Sequence, residues 1–267
     1  SFDNFIFYSI LFYVTKRLMK YIEERELYIK ERARVGIAIK QKSNEMYELY
    51  NQYKEIVDKE MSRKLREQQI WDSFHMYTMR KAANFSVPGS GKTSSVLGVY
   101  AYLSNKNLVD QIIVIGPKNS FGSWIDEFNL CFDNKKLLNL FNIQDFTQLE
   151  HKKNAILYNS QKKNLLLFNY ESLNSILIEV QKLIGKRTLL VFDEVHKVKA
   201  IDGVRAANAL EISKMAYHTI VMTGTPIPNS YLDIKNLLKI LFNDEYNDYF
   251  GFQESQLERP TEADTEY

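Results

Sequence analysis

The sequence predicts an α/β fold, a three-layer sandwich with a mainly parallel central sheet, preceded by a helical N-terminal element. Three observations predict it. From about Leu65 onward, short apolar runs rich in β-branched residues alternate with stretches of helical character. Four of the five runs lack polar alternation, as strands buried on both faces do. Residues 1–64 differ: they hold one glycine, Gly36, no proline, and dense charge.

Taken in order, Phe5–Val14 is the most apolar stretch, followed at once by Thr15, Lys16 and Arg17. A bilayer-spanning helix needs about 20 such residues, so it reads as a buried or interface helix. No basic start or small-residue cleavage site marks a signal peptide. The initial Ser1, in place of Met, reads as the mark of a processed or excised piece. Glu23–Arg34 is strongly charged and helical in character, and Val35, Ile37 and Ile39 alternate around Gly36 as a short strand or a helix break. Met46, Leu49, Tyr50, Tyr53, Ile56, Val57 and Met61 recur at spacings of three and four, one face of a helix. This element either braces the α/β region after it or docks a partner protein or nucleic acid.

The apolar runs are Ala83–Val87, Gln111–Ile115, Leu165–Phe168, Thr188–Phe192 and Thr219–Met222. Helical candidates follow at Lys92–Ser104, Ser120–Cys131, Ser172–Leu183, Val204–Met215 and Tyr231–Leu241. Strand-then-helix alternation implies right-handed crossovers with helices on both faces. Three regions result: a helical element at 1–64, an α/β lobe at 65–242, and a polar, acidic tail or linker at 243–267.

Composition bounds the function. The chain has 267 residues, of which 45% are hydrophobic and 25% charged, values of a globular protein. One cysteine, Cys131, excludes a disulfide framework and a cysteine zinc site, and suits a reducing cytoplasmic compartment. The formal charge of +2 neither demands nor excludes a nucleic-acid partner, since a basic stripe can lie on one face of a neutral molecule. No membrane partner is expected.

Ser86-Val87-Pro88-Gly89-Ser90-Gly91-Lys92-Thr93 lies between a predicted strand and a predicted helix, the context of a phosphate-binding loop. Gly89 and Gly91 allow a tight turn that brings N–H groups against phosphate oxygens. The helix N-terminus adds its positive end. Pro88, Gly89, Ser90, Gly91, Lys92, Thr93 and Ser94 are the candidate nucleotide contacts, with Lys92 on the β- and γ-phosphates and Thr93 on Mg²⁺. The first position is Ser86, a small residue where Gly or Ala is usual.

Thr188–Phe192 ends in Asp193-Glu194-Val195-His196. Ligands of open α/β sheets sit at the carboxyl ends of strands. Asp193 is expected to hold Mg²⁺ with Thr93, and Glu194 to polarise the attacking water. Neighbours on an extended chain point to opposite sides, which separates the two tasks. His196 is expected to link this site to the next motif.

These residues resemble a family. Asp-Glu-Val-His is similar to the DExH box of superfamily-two helicases and translocases, and Thr223-Gly224-Thr225-Pro226, about 30 residues on, to their motif III. Met222–Ser230 is similar to the Swi/Snf-type version of that motif. Ile115-Gly116-Pro117-Lys118 with Trp124 and Glu127-Phe128 resembles motif Ia, and Phe168–Leu173 resembles the motif Ib region. Leu65-Arg66-Glu67-Gln68-Gln69 resembles a Leu-Arg-x-x-Gln element whose glutamine, here Gln69, reads adenine. Val-Pro-Gly-Ser before the GKT departs from the Swi/Snf pattern and leaves restriction-type and phage-defence translocases open.

The resemblance implies a RecA-like first lobe that uses ATP and Mg²⁺ and contacts nucleic acid, DNA before RNA. It places Pro117, Lys118, Asn169, Tyr170, Thr223 and Thr225 at that contact, mainly on phosphates. It implies a second RecA-like lobe carrying arginine fingers, worth about 10³ to 10⁵ in rate, so that residues 1–267 alone are expected to hydrolyse ATP slowly or not at all. Trp124 is expected to be a core anchor. Two other classes stay open: another phosphate-loop ATPase, or a nucleotide-gated interaction module without motor activity.

Overall fold

The computed structural model describes residues 2–87, 89–198, 204–225 and 233–242. Helices α1 (Phe2–Lys40), α2 (Tyr47–Glu60) and α3 (Glu67–Met79) come first. Then come β1 (Lys81–Asn84), α4 (Lys92–Asn105), β2 (Gln111–Gly116), α5 (Phe121–Phe132), β3 (Leu140–Asn142) and α6 (Leu149–Asn159). The remainder is β4 (Leu165–Asn169), α7 (Tyr170–Leu183), β5 (Thr188–Phe192), α8 (Val204–Ser213), β6 (His218–Met222) and α9 (Asp233–Phe242).

The strands form one sheet in the order β1-β6-β5-β2-β4-β3, with every neighbouring pair parallel. Steps from β1 to β2 and on to β3 run one way across it. Steps from β3 to β4, β5 and β6 run back. Right-handed crossovers put helices of opposite travel on opposite faces. Accordingly α4 packs on α5, and α7 packs on α6 and α8. All five residues of β4, β5 and β6 are buried, whereas the edge strand β1 alternates.

Residues on both sides of position 64 share one core. Ala38 and Ile39 of α1 and Tyr50, Tyr53 and Val57 of α2 are buried together with Ile70, Trp71 and Phe74 of α3. Tyr50 stacks on Trp71 at 3.8 Å, and Tyr53 meets Phe74, Tyr77 and Tyr102 at 4.6–5.4 Å. The segment after α2 also caps α5: the Ser62 and Arg63 N–H groups donate to the Cys131 carbonyl, and Ser62 Oγ to that of Phe132. These satisfy carbonyls that a helix end leaves open.

Several elements differ from the sequence expectation. Val35–Ile39 is neither a strand nor a break, because α1 continues through Gly36 and buries Ala38 and Ile39 rather than Ile37, which is 55% exposed. Phe5–Val14 lies in α1, its side chains outside the described residues. The first strand ends at Asn84, short of Val87. There Asn84 Oδ1 accepts the Ser86 N–H at 3.0 Å and turns the chain, leaving Phe85 and Val87 exposed. Strand β3 and helix α6 carry no clear periodicity in the sequence. The tail 243–267, with residues 226–232, lies outside the described residues. Among the described residues no helix is long and apolar enough to cross a membrane.

Cys131 is buried, and burial, then Glu127, pushes its thiol up to about 12. It is a packing residue with no thiolate to offer. His75 and His218 are each held down to about 4, mainly by burial, with Lys40 and Arg32 beside the first and Arg80 beside the second. Between pH 6.5 and about 4 the unfolded chain therefore binds more protons at these sites than the folded one. Their neutral forms stabilise the fold above pH 6.5, and that contribution is lost as the pH falls through the window. Urea titrations across pH 4 to 6.5 should show this loss, and His218→Gln should lower the proton uptake on unfolding by about one.

Candidate nucleotide site

The carboxyl ends of β1, β6 and β5 lie side by side, Asn84 opposite Met222 and Val221 opposite Phe192. Adjacent strands are about 4.8 Å apart, so the turns leaving β1 and β5 start roughly 10 Å apart with the β6 turn between them. The crossover after β1 runs to one face, while the helices after β5 and β6 pack together on the other. That divergence opens a crevice at the strand ends, the usual ligand position in such sheets.

The turn after β1 carries the residues expected to form the phosphate loop; Pro88 lies outside the described residues. Gly89 and Gly91 have φ of +78° and +85°, the left-handed region that favours glycine. At Gly91 a Cβ would also come 2.0 Å from the Gln69 amide nitrogen. Lys92 opens α4, and its Nζ donates to the carbonyls of Ser86 at 2.9 Å and Val87 at 3.4 Å. The first turn of α4 contains no acidic residue, and its N-cap makes no side-chain bond. The half-buried Thr93 hydroxyl has no hydrogen-bond partner among the described residues. Ser94, the outermost candidate, is buried and donates instead to Glu127 of α5, which also accepts from Arg63 at 3.1 Å.

Gln69 is a strut under this loop. Its Oε1 accepts the Arg66 N–H at 2.9 Å, capping α3, and its Nε2 donates to the Ser90 and Gly91 carbonyls at 3.2 and 3.4 Å. The Arg66 guanidinium donates to the same Ser90 carbonyl.

At the end of β5, Asp193 is 6% exposed. Its N–H donates to the Ile115 carbonyl at 2.8 Å, its Oδ2 accepts the Trp124 indole N–H at 3.0 Å, and its carbonyl accepts the Tyr170 hydroxyl at 2.8 Å. Glu194 is not on an extended chain, contrary to the expectation from sequence. Its φ of +48° turns the backbone sharply, and this brings its Oε2 to 3.1 Å from His196 Nδ1. The same Nδ1 lies 2.8 Å from Thr223 Oγ1, which accepts the Thr225 N–H at 3.1 Å. Only a protonated Nδ1 suits a carboxylate and a hydroxyl oxygen together, so this tautomer fits the network. His196 thus joins the β5 turn to the β6 turn.

The expected nucleic-acid residues separate into two kinds. Lys118 and Thr225 are exposed. Pro117 and Asn169 are buried, and Asn169 is bonded to Glu171 and Ser172 at 2.8 and 2.9 Å. Tyr170 is 2% exposed and Thr223 1%, so neither residue presents a surface to nucleic acid. Burial, with Asp193 and Glu194 nearby, raises the Tyr170 phenol well above its usual value, which keeps it a neutral donor. Sequence reasoning misses the polar tasks of Trp124 and Tyr170; the one available signal is that each is an aromatic with a donor inside a motif.

The residues present suit a magnesium nucleotide. Two left-handed glycines lead into a fourteen-residue helix that starts on a lysine, at the carboxyl end of β1. Among the described residues no three His, Cys, Asp or Glu side chains gather as a metal site.

A family model described as SNF2-related domain matches residues 85–267. The chain belongs to this family. The SNF2-related chain is 27% identical over 154 residues to a zebrafish (Danio rerio) protein. That protein is the SWI/SNF-related matrix-associated actin-dependent regulator of chromatin subfamily A containing DEAD/H box 1A; the match covers 57% of this chain and 15% of that protein. It is 25% identical over 188 residues to the chromatin-remodeling ATPase INO80 of Saccharomyces cerevisiae, covering 66% of this chain and 12% of that one. The chain therefore spans only a small part of the curated relatives it matches. Its fold matches the Sulfolobus solfataricus SWI2/SNF2 ATPase core in complex with dsDNA, with a TM-score of 0.61 at 18% identity over 78% of this chain and 42% of that one. The SNF2-related chain is thus a RecA-like α/β lobe of Swi/Snf type.

Gly91→Ala combines a strained φ with the contact at Gln69. It should destabilise the fold by about 1–3 kcal/mol and remove nucleotide binding. Adding Gln69→Ala should recover part of the stability, read by thermal melting, and none of the binding.

Proposed function

We propose that this chain is the nucleotide-binding first lobe of an ATP-driven motor that moves on nucleic acid, DNA before RNA. The observation that carries the reading is the shared edge of β1, β5 and β6, with His196 bridging Glu194 and Thr223. The relatives named for chromatin remodelling and the archaeal core solved with dsDNA support the choice of partner.

On this reading the loop N–H groups of 89–93 and Lys92 hold the phosphates of ATP, and Thr93 and Asp193 hold Mg²⁺. The ion, when bound, neutralises charge on phosphate oxygens. Lys92 exchanges its two carbonyl acceptors for phosphate oxygens. Glu194 orients a water and takes its proton, and His196 keeps that carboxylate in place. Base recognition by Gln69 requires its amide to trade a loop carbonyl for the adenine edge. Lys118 and Thr225, which are exposed, meet nucleic-acid phosphates, and the buried Pro117, Asn169, Tyr170 and Thr223 shape the turns behind them, so binding is salt-sensitive and indifferent to sequence. Efficient hydrolysis draws on charge supplied by a second RecA-like lobe of the parent protein. Residues 1–64 act as a brace within the lobe's core, and 243–267 as a linker. Cys131 suits a reducing, cytoplasmic compartment.

Titration with a fluorescent ATP analogue tests this. Lys92→Ala should weaken Mg²⁺-dependent binding by about 100-fold, the loss of two charge-assisted bonds. Glu194→Gln should bind within about threefold of the unaltered chain and lower any hydrolysis at least about 100-fold. Equal affinity in the Lys92→Ala variant would falsify the reading.

A further inference from the structure

We infer that Trp124 and Tyr170 are positioning residues that couple nucleic-acid contact to the metal-holding carboxylate Asp193. The inference rests on the proposed function for what the two sites bind.

Asp193 is restrained from three sides. Its N–H continues the β2–β5 ladder to Ile115 at 2.8 Å. Its carbonyl is held by Tyr170, the first residue of α7, at 2.8 Å. Its Oδ2 is held by Trp124, in the first turn of α5, at 3.0 Å. Both aromatic side chains are at most 2% exposed, so neither bond is exchanged with water. The fit is close: a Cβ on Gly116, the last residue of β2, would come 3.0 Å from the Asp193 Cβ.

Each aromatic stands just behind a loop assigned to nucleic acid. Lys118 lies in the 3₁₀ turn that runs directly into α5, whose ring-bearing first turn includes Trp124. Asn169 is the N-cap of α7, one residue before Tyr170, and its side chain bonds Glu171 and Ser172 in that helix's first turn. A phosphate that pulls on the exposed Lys118 turn therefore moves a donor seated on Asp193, and Tyr170 holds the same residue from the neighbouring strand end. Oδ1 has no hydrogen-bond partner among the described residues, and the Trp124 bond sets the direction in which it points. Linkage is reciprocal, so a nucleotide-bound metal that turns Asp193 must alter nucleic-acid affinity by the same factor.

The expected behaviour is a linkage, measured as the ratio of dsDNA affinity with and without Mg²⁺-ATP analogue, of about fivefold or more in the unaltered chain. Trp124→Phe keeps the apolar bulk and deletes the N–H. It should bring the ratio to within about twofold of one while the chain still binds nucleotide. Tyr170→Phe should erode the ratio in the same direction. A second measurement needs no change at Asp193's partners. The chain has two tryptophans, and Trp71→Phe leaves Trp124 as the sole reporter. Its emission should shift on adding DNA without nucleotide, and again on adding Mg²⁺-ATP analogue without DNA.

The outcomes separate two failures. If the unaltered chain binds both ligands and shows the linkage, yet Trp124→Phe retains it and Trp124 emission ignores DNA, the coupling role is wrong and the motor reading stands. If the unaltered chain binds nucleotide and no DNA, the motor reading itself fails, and the coupling role with it.

Discussion

Parallel hydrogen bonding among β1, β6 and β5 is the constraint on which the site depends. The phosphate loop, the acidic turn and the Thr-Gly-Thr turn are separated by about 100 and about 30 residues along the chain. Only their registers, Asn84 with Met222 and Phe192 with Val221, bring them to one edge. A slip of one residue would turn every side chain to the other face. In the strands buried on both faces that would not expose apolar surface, so burial alone does not fix the register. The same registers continue past the strand ends, the Thr223 N–H donating to the Asn84 carbonyl at 3.2 Å and the Asp193 N–H to the Ile115 carbonyl at 2.8 Å.

Much of this was legible in the sequence because its physics is local. Thr188–Phe192 is apolar throughout and stops at a carboxylate, so both ends of β5 coincide with the expectation. GSGKT opens a helix at Lys92 because glycine supplies the left-handed turn before it. What was not legible depends on partners distant in sequence. The three residues of β3 are too few to show a period, and they pair only because β4 offers an open edge. Phe85 and Val87 read as strand by composition, and it is one side chain, Asn84, that ends β1 before them. Helix α1 runs through Gly36 because α3 lies against it, with Met79 3.4 Å from where a Cβ would be.

The site shows the same division. Residue types predicted who is present, and the structure adds who holds whom. Glu194 adopts a left-handed conformation, which costs a non-glycine residue about 1 kcal/mol or more. The strain is local to the turn and gains the contact with His196. A reading that assumes an extended chain at Asp193–Glu194 misses both the turn at Glu194 and the histidine's hold on its carboxylate. Likewise Gln69 reads as a base contact because the motif has a glutamine there. Its two ends are taken up by the α3 N-terminus and the loop carbonyls.

Lys92 illustrates how such a loop is kept ready. A lysine ammonium facing open water would be hydrated and mobile. Here Ser86 and Val87 carbonyls orient it from beneath, and Gln69 and Arg66 hold the Ser90 carbonyl so that the loop keeps its shape. On the proposed reading, phosphate would exchange acceptors on an ordered side chain, and little rotamer entropy would remain to be lost. The lysine's partners also lie on the loop itself, so any movement of the loop carries the charge with it. The brace beneath, α3, is packed in turn on α2 through Tyr50, Trp71 and Phe74, and on α1 beside it. The order of the phosphate site is therefore continuous with the aromatic core of the N-terminal helices, which is why that element belongs to the same packed unit as the lobe it precedes.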